Sequence, residues 1–180
     1  PDNTTNLALM KKQMILLGML MAFCMTEAKV TLPALFTDNM ILQQKSNVIF
    51  HGHSSTKKEV IITTGWSKHP YTTSPDKEGN WRIEIPTPSA GGPYEIIISD
   101  GDKHILQNIL IGEIWLYTGE CETETPIDIA PQPYIRLFQT KKEISLVPKK
   151  DLHTTLEGWK ECTSKNITGF PAVGYFFASQ

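Results

Sequence analysis

Trp115-Leu-Tyr-Thr-Gly-Glu-Cys-Glu-Thr-Glu-Thr-Pro126 carries the residues best placed to do chemistry. The segment follows an apolar, strand-like run, Ile109–Ile114, and is expected to bend at Gly119. A strand that ends in a tight glycine turn is where α/β hydrolytic enzymes set a nucleophile. Cys121 stands in that turn, and a thiolate is a good nucleophile toward esters. Its neighbours work against it. Glu120 and Glu122 flank it and Glu124 is close, and negative charge raises a thiol pKa. A helix N-terminus after the turn would act the other way. The three glutamates do not suit a glycosidase, whose two carboxylates must flank a sugar from opposite sides.

Three further groups of residues invite a chemical reading. Asp151-Leu-His153 pairs a carboxylate with an imidazole, but it sits in a lysine-rich stretch and reads as solvated loop. His51-Gly-His53 places two imidazoles on one strand face, a spacing that metals sometimes use. His69 and His104 are isolated and supply no evident third ligand, so no metal and no other cofactor is expected. Trp66, Tyr71, Trp81 and Tyr94 are aromatics of the kind that stack on sugar rings. The alternative is core and edge packing, and the alternation of Trp81 with polar neighbours fits a core face.

The elements that must position these residues are mainly β. Val48–His51, Glu59–Thr64, Trp81–Ile85 and Tyr94–Ile98 are short runs rich in β-branched and aromatic residues. Turn formers separate them, as in Pro75-Asp-Lys-Glu-Gly-Asn and Ser89-Ala-Gly-Gly-Pro. Short strands at this spacing predict a β-sandwich over residues 29–112. From Glu113 the character changes. Ile114–Tyr117 and Ile135–Phe138 are expected to be parallel strands, joined by a loop with three prolines. Phe170 to Gln180 reads as a helix start, with Thr168 or Gly169 near its N-cap and Pro171 in its first turn.

With 180 residues, 40% of them hydrophobic, and a formal net charge of -2, the composition is that of an ordinary globular protein. No basic excess points to nucleic acid. Lys11 and Lys12 precede an apolar run, Met14 to Cys24, followed by Met-Thr-Glu-Ala-Lys. A basic start, a short apolar core and a small-residue exit describe a secretory signal peptide cut after Ala28. Met10 then reads as the start, and the run is too short to span a bilayer comfortably. The mature form is expected to be secreted or periplasmic, with no membrane segment. The alternative is a buried N-terminal helix. Only Cys121 and Cys162 would remain, and in an exported protein they can pair. Asn166-Ile-Thr168 is a glycosylation sequon.

The block from Trp115 resembles the nucleophile block of the sialate O-acetylesterase family, of the SGNH-hydrolase type. The family's usual run is Trp-Leu-Cys-Ser-Gly-Gln-Ser-Asn-Met-Glu-Met-Pro. Trp115, Leu116, Gly119, Glu124 and Pro126 match it, whereas Cys121 replaces the nucleophilic serine, Glu120 the glutamine and Glu122 the asparagine. Leu32–Gln44 is similar to the family's opening strand and turn. Gly79–Arg82, Pro88–Tyr94 and Ile98–Gly101 are similar to its β-domain. Ile135–Gln139, Gly158–Cys162 and Phe170–Phe177 are similar to the start of its catalytic domain.

The resemblance implies a β-sandwich followed by the first strands of an α/β/α SGNH domain, over residues 113–180. It implies hydrolysis of acetyl esters on sialic acid or related glycans through an acyl-serine intermediate. It makes residue 121 the nucleophile position, with the backbone N–H there as one oxyanion donor. A glycine, an asparagine and a histidine in an Asp-x-x-His motif would come from later blocks. These 180 residues carry none of them in the expected order, and the Asp151–His153 spacing is one residue short. The chain alone is therefore expected to be inactive. The competing reading is a glycan-binding β-module or enzyme remnant without catalysis.

Overall fold

The computed structural model describes residues 30–119, 129–149 and 151–180, and it is mainly β. In chain order the strands are β1 (Val30–Thr31), β2 (Ile41–Gln43), β3 (Asn47–Ser54), β4 (Val60–Thr64), β5 (Tyr71–Thr73), β6 (Asn80–Pro86), β7 (Gly91–Ser99), β8 (Lys103–Gly112), β9 (Gln132–Leu137) and β10 (Lys160–Cys162). One helix, α1 (Ala172–Ala178), follows them. The four β-rich runs read from the sequence fall on β3, β4, β6 and β7, with Glu59 one residue ahead of β4.

Two sheets share one core. The first has the order β1-β3-β6, the second β2-β8-β7-β4-β5. Each half-buried strand turns its apolar alternate residues inward, as period-two geometry requires. In β6, Trp81 and Ile85 are buried while Arg82 and Glu84 are exposed, which matches the expected alternation. Phe50 of β3 and Trp81 and Ile85 of β6 join Val60 and Ile62 of β4, Ile96 and Ile98 of β7, and Ile109 and Ile111 of β8 in a single cluster. The Phe50 ring stacks on Phe36, with centroids 4.8 Å apart.

Gly52 has a steric reason. It lies opposite Trp81 in the β3–β6 ladder. A Cβ there would come 2.5 Å from the Thr31 carbonyl oxygen and 2.8 Å from the Trp81 ring. A polar link also ties the sheets. Buried Asp100, in the β7–β8 turn, accepts hydrogen bonds through Oδ2 from Ser54 Oγ (2.5 Å) and Thr56 Oγ1 (3.2 Å).

A second, smaller core gathers Leu137, Cys162, Ile167 and Tyr175 from β9, β10, the loop after it and α1. Here the structure corrects three expectations. Ile114–Tyr117 is not a strand: β8 ends at Gly112, and Ile114, Trp115, Leu116 and Tyr117 run on unpaired and exposed. The run containing Ile135–Phe138 is a strand, β9, but it pairs antiparallel with β10 and has no parallel neighbour. A parallel pair buried on both faces needs covering layers, which the described residues do not supply to Ile114–Tyr117. The helix also starts later than expected, with Pro171 as its N-cap rather than within its first turn. Among the described residues no helix is long and apolar enough to cross a membrane.

Phe50 is fully buried and touches both sheets' core. Phe50→Ala should lower the unfolding free energy by about 3–5 kcal/mol, read from urea denaturation followed by circular dichroism. A loss within experimental error of zero would show that the two sheets do not close on this side chain.

Candidate active site

The chain leaves β8 through a side-chain clamp. Gln43 and Gln44 stand at the end of β2, which runs parallel to β8 with Gln43 opposite Gly112. Gln43 Nε2 donates to Glu113 Oε2 and Gln44 Nε2 to Glu113 Oε1, both at 2.7 Å. The other ends of the two amides are used as well: Gln43 Oε1 accepts from Ile114 N–H (3.0 Å) and Gln44 Oε1 from Ala90 N–H (3.0 Å). The ladder is thereby extended by side chains beyond its last backbone pair. It sets the direction in which Trp115–Gly119 leaves the sheet. The hydrogen bonds from Gln43 and then Gln44, with Lys45 nearby, hold the Glu113 carboxyl below its ordinary value of 4.5.

Beyond the clamp lies a cleft of 960 Å³, bounded by the end of β8, the Ile114–Tyr117 segment, β9 and α1. Its walls are largely apolar and aromatic, among them Trp115, Leu116, Tyr117, Tyr134, Phe170 and Phe177. Trp115 meets Phe177 of α1 edge-on, with centroids 4.9 Å apart. Even so, Trp115 is 69% and Leu116 88% exposed. A cleft of this size and lining is what small-molecule sites are made of. It is equally a face that further polypeptide can cover.

Gly119 lies just past the cleft, where the chain bends. A Cβ there would fall 2.7 Å from Tyr117 Oη, so glycine lets the tyrosine ring fold back against the bend. Cys121, Glu120, Glu122, Glu124 and Pro126 lie outside the described residues, as does the apolar run Met14–Cys24. Cys162, the proposed pairing partner of Cys121, is a buried free thiol. Burial pushes its pKa up, away from the reactive thiolate.

Arg136 is a residue that sequence reasoning passed over except as part of a resembling run. It lines the cleft, and its side chain is only 2% exposed. Nη2 donates to Asn108 Oδ1 (3.2 Å) and lies 3.7 Å from Glu161 Oε1, while Nη1 donates to the Pro133 carbonyl. Asn108 sits in β8 at φ 58, and its amide also donates to Asn39 Oδ1 (2.8 Å) and Glu161 Oε1 (2.7 Å). The network joins β8 to β9 and β10 behind the cleft. Burial lowers the Arg136 pKa, and Glu161 opposes that shift. An arginine between apolar Ile135 and Leu137 was the one signal in the sequence that pointed here.

The other candidate residues are placed as follows. His153 pairs through Nδ1 with Glu143, not with Asp151, and Lys149 Nζ reaches the same carboxylate at 2.9 Å. Those partners, His153 foremost, hold the Glu143 carboxyl below its ordinary value. Asp151 instead accepts from Ala34 N–H (2.9 Å). Of the four aromatics, Trp81 is buried, while Trp66, Tyr71 and Tyr94 are half-buried and packed on the same core. Trp66 is pinned by a bond from Nε1 to the Pro86 carbonyl (3.1 Å) and by the edge of Tyr94. Asn166 donates its side-chain nitrogen to the Glu161 carbonyl (3.0 Å).

No protein-family model matches the chain, and no curated protein matches it. Among solved structures it is similar to a carbohydrate acetylesterase from Xanthomonas citri. The TM-score is 0.75 and the identity 29%, over 84% of this chain and 37% of that one. The likeness supports a carbohydrate-esterase kind. This chain thus spans well under half the length of that enzyme.

Two measurements check the site's physics. The Glu113 shift stabilises the fold above the unfolded-state value near 4.5, and that stability is lost as pH falls through the lower folded value. Gln44→Leu should flatten the acid limb of a plot of melting temperature against pH. An unchanged acid limb would remove the clamp from the account. The exposed cleft wall should bind a hydrophobic dye, and the double substitution Leu116→Ser with Phe177→Ser should reduce the fluorescence about two-fold or more. Equal fluorescence in both forms would mean that the wall is covered.

Proposed function

We propose that the chain is the N-terminal part of an exported carbohydrate acetylesterase of the sialate O-acetylesterase type. In this reading residues 1–28 hold upstream residues and a signal peptide, residues 29–112 a β-sandwich, and residues 113–180 the start of an SGNH-type catalytic domain. The observation that carries it is the likeness to the Xanthomonas citri acetylesterase, at 29% identity over 84% of this chain. The two sheets closed on one core support the sandwich. The substrate is an O-acetylated sialic acid or a related acetylated glycan.

The chemistry follows from what an acetyl ester needs. A nucleophile must attack the acetyl carbonyl, a base must take its proton, and N–H donors must hold the oxyanion. Position 121, past the clamp and the bend at Gly119, is the nucleophile position. A thiol beside two carboxylates is poorly suited to attack at neutral pH. The base and the remaining oxyanion donors would come from polypeptide outside these residues, and this chain spans 37% of the Xanthomonas citri enzyme. The apolar cleft is where such polypeptide would pack. The isolated chain is accordingly inactive.

Acetate release tests both halves of the proposal. The chain alone should turn over 4-nitrophenyl acetate and O-acetylated sialic acid no faster than its Cys121→Ala variant. Turnover abolished by Cys121→Ala would refute the inactivity. Fused to the unmatched part of the Xanthomonas citri enzyme, the Cys121→Ser form should release acetate at least about 100-fold faster than the Cys121 form. A folded fusion carrying serine but releasing no acetate from any acetylated sugar would sink the esterase reading itself.

A further inference from the structure

We propose that a groove on the outer face of the β3–β6 ladder, rimmed by polar side chains, is a second carbohydrate site, separate from the cleft. It would bind the hydroxyl edge of a pyranose that carries no ester. The groove measures 580 Å³, within the range of small-molecule sites, and shares no lining residue with the cleft. His51 and His53 of β3 lie directly opposite Arg82 and Asn80 of β6. All four are exposed. Cross-strand and alternate positions on one face are close neighbours, so the four side chains form a compact patch. Asp76, from the β5–β6 turn, and Asp151, from a segment far along the chain, add carboxylates to the lining, and Leu32, Pro33 and Trp81 give it an apolar floor.

These are residues that looked unrelated in the sequence. The hydrogen bond from Ala34 N–H to Asp151 Oδ1 (2.9 Å) brings the Asp151 segment to the start of the β-region, against the histidine face.

The set of partners suits a polyol. A sugar hydroxyl donates and accepts at once, so its site needs both kinds of group at close range. Arg82 donates, and the Asn80 amide keeps one N–H beside the bond from its Nδ2 to Asp76 Oδ2 (3.4 Å). Asp76 Oδ1 is taken by the Glu78 and Asn80 N–H groups, so Asp151 is the freer acceptor. His53 Nε2 lies 3.0 Å from the Glu78 carbonyl oxygen, which can only accept. That nitrogen is therefore the donor of the bond, and Nδ1 is the ring atom left to face a ligand. Asp151 uses Oδ1 for Ala34 and Leu152 N–H, which leaves Oδ2 for a ligand. Below the patch, Gly52 places no side chain over the Trp81 ring, and Trp81 Nε1 has no hydrogen-bond partner among the described residues.

The ligand class rests on the carbohydrate-esterase reading, but the groove does not depend on ester chemistry. The isotope-labelled full chain is titrated with methyl β-xyloside, methyl α-galactoside and the methyl glycoside of N-acetylneuraminic acid, followed by amide chemical shifts. At least one sugar should give saturable shifts at residues 51–53 and 80–82, with a Kd of about 1–10 mM. Arg82→Ala and His51→Ala, both at exposed strand positions, should each weaken binding about tenfold. The absence of shifts with any sugar up to about 50 mM overturns the proposal, as do shifts that both variants leave unchanged or shifts confined to the Trp115 cleft. These sugars bear no acetyl ester, so the two readings fail separately. Groove binding with a folded but inactive fusion leaves this site standing, and an active fusion without groove binding removes this site alone.

Discussion

Burial of apolar surface between two sheets is the constraint on which the rest of the structure depends. Neither the three-stranded nor the five-stranded sheet has another partner for its inner face among the described residues. Phe50, Trp81 and Ile85 on one side meet Ile62, Ile96, Ile98 and Ile109 on the other. Each such side chain removed from water contributes roughly 1.5–3 kcal/mol, against an ordering entropy of similar total size. Once the sheets close, the outward positions are set by strand period alone. The His51, His53, Asn80 and Arg82 face is a direct consequence.

That core also sets where the chain leaves the sheet. β8 is the strand that leads out of the core toward Trp115–Gly119, and β2 lies parallel to its last residues. The Gln43 and Gln44 amides carry the pairing one step further by gripping Glu113. Asn108, in a left-handed conformation within the same strand, reaches Asn39 on one side and Glu161 on the other, and Arg136 closes the network. A buried guanidinium loses much hydration, and the bonds to Asn108 and Pro133 with the nearby Glu161 carboxylate offset it. The β-region and the strands around the cleft are thus joined by polar bonds, while the cleft between them stays apolar.

The cleft has two physical properties that pull against each other. Its size and aromatic lining suit a ligand, but the exposure of Trp115 and Leu116 is greater than a finished site usually tolerates. Ile114–Tyr117 has strand composition but no strand partner among the described residues, and an unpaired segment of this kind is open to pairing with another strand.

By itself the sequence determined the strands whose alternation is strong: β3, β4, β6 and β7 were legible because buried and exposed residues alternate with period two along each. It also determined that Trp81 faces a core, that Asp151–His153 is an exposed loop, and that the chain after β8 bends at Gly119. It misjudged Ile114–Tyr117 and the pairing of Ile135–Phe138, because composition reports a residue's fitness for a strand and not whether a neighbour is there to bond it. Only the tertiary structure decided that Arg136, Asn108 and Glu161 form one network, or that Asp151 lies beside His51 and His53. Such contacts link residues up to a hundred positions apart. No local pattern encodes them, because they exist only after two sheets have closed and brought their edges together.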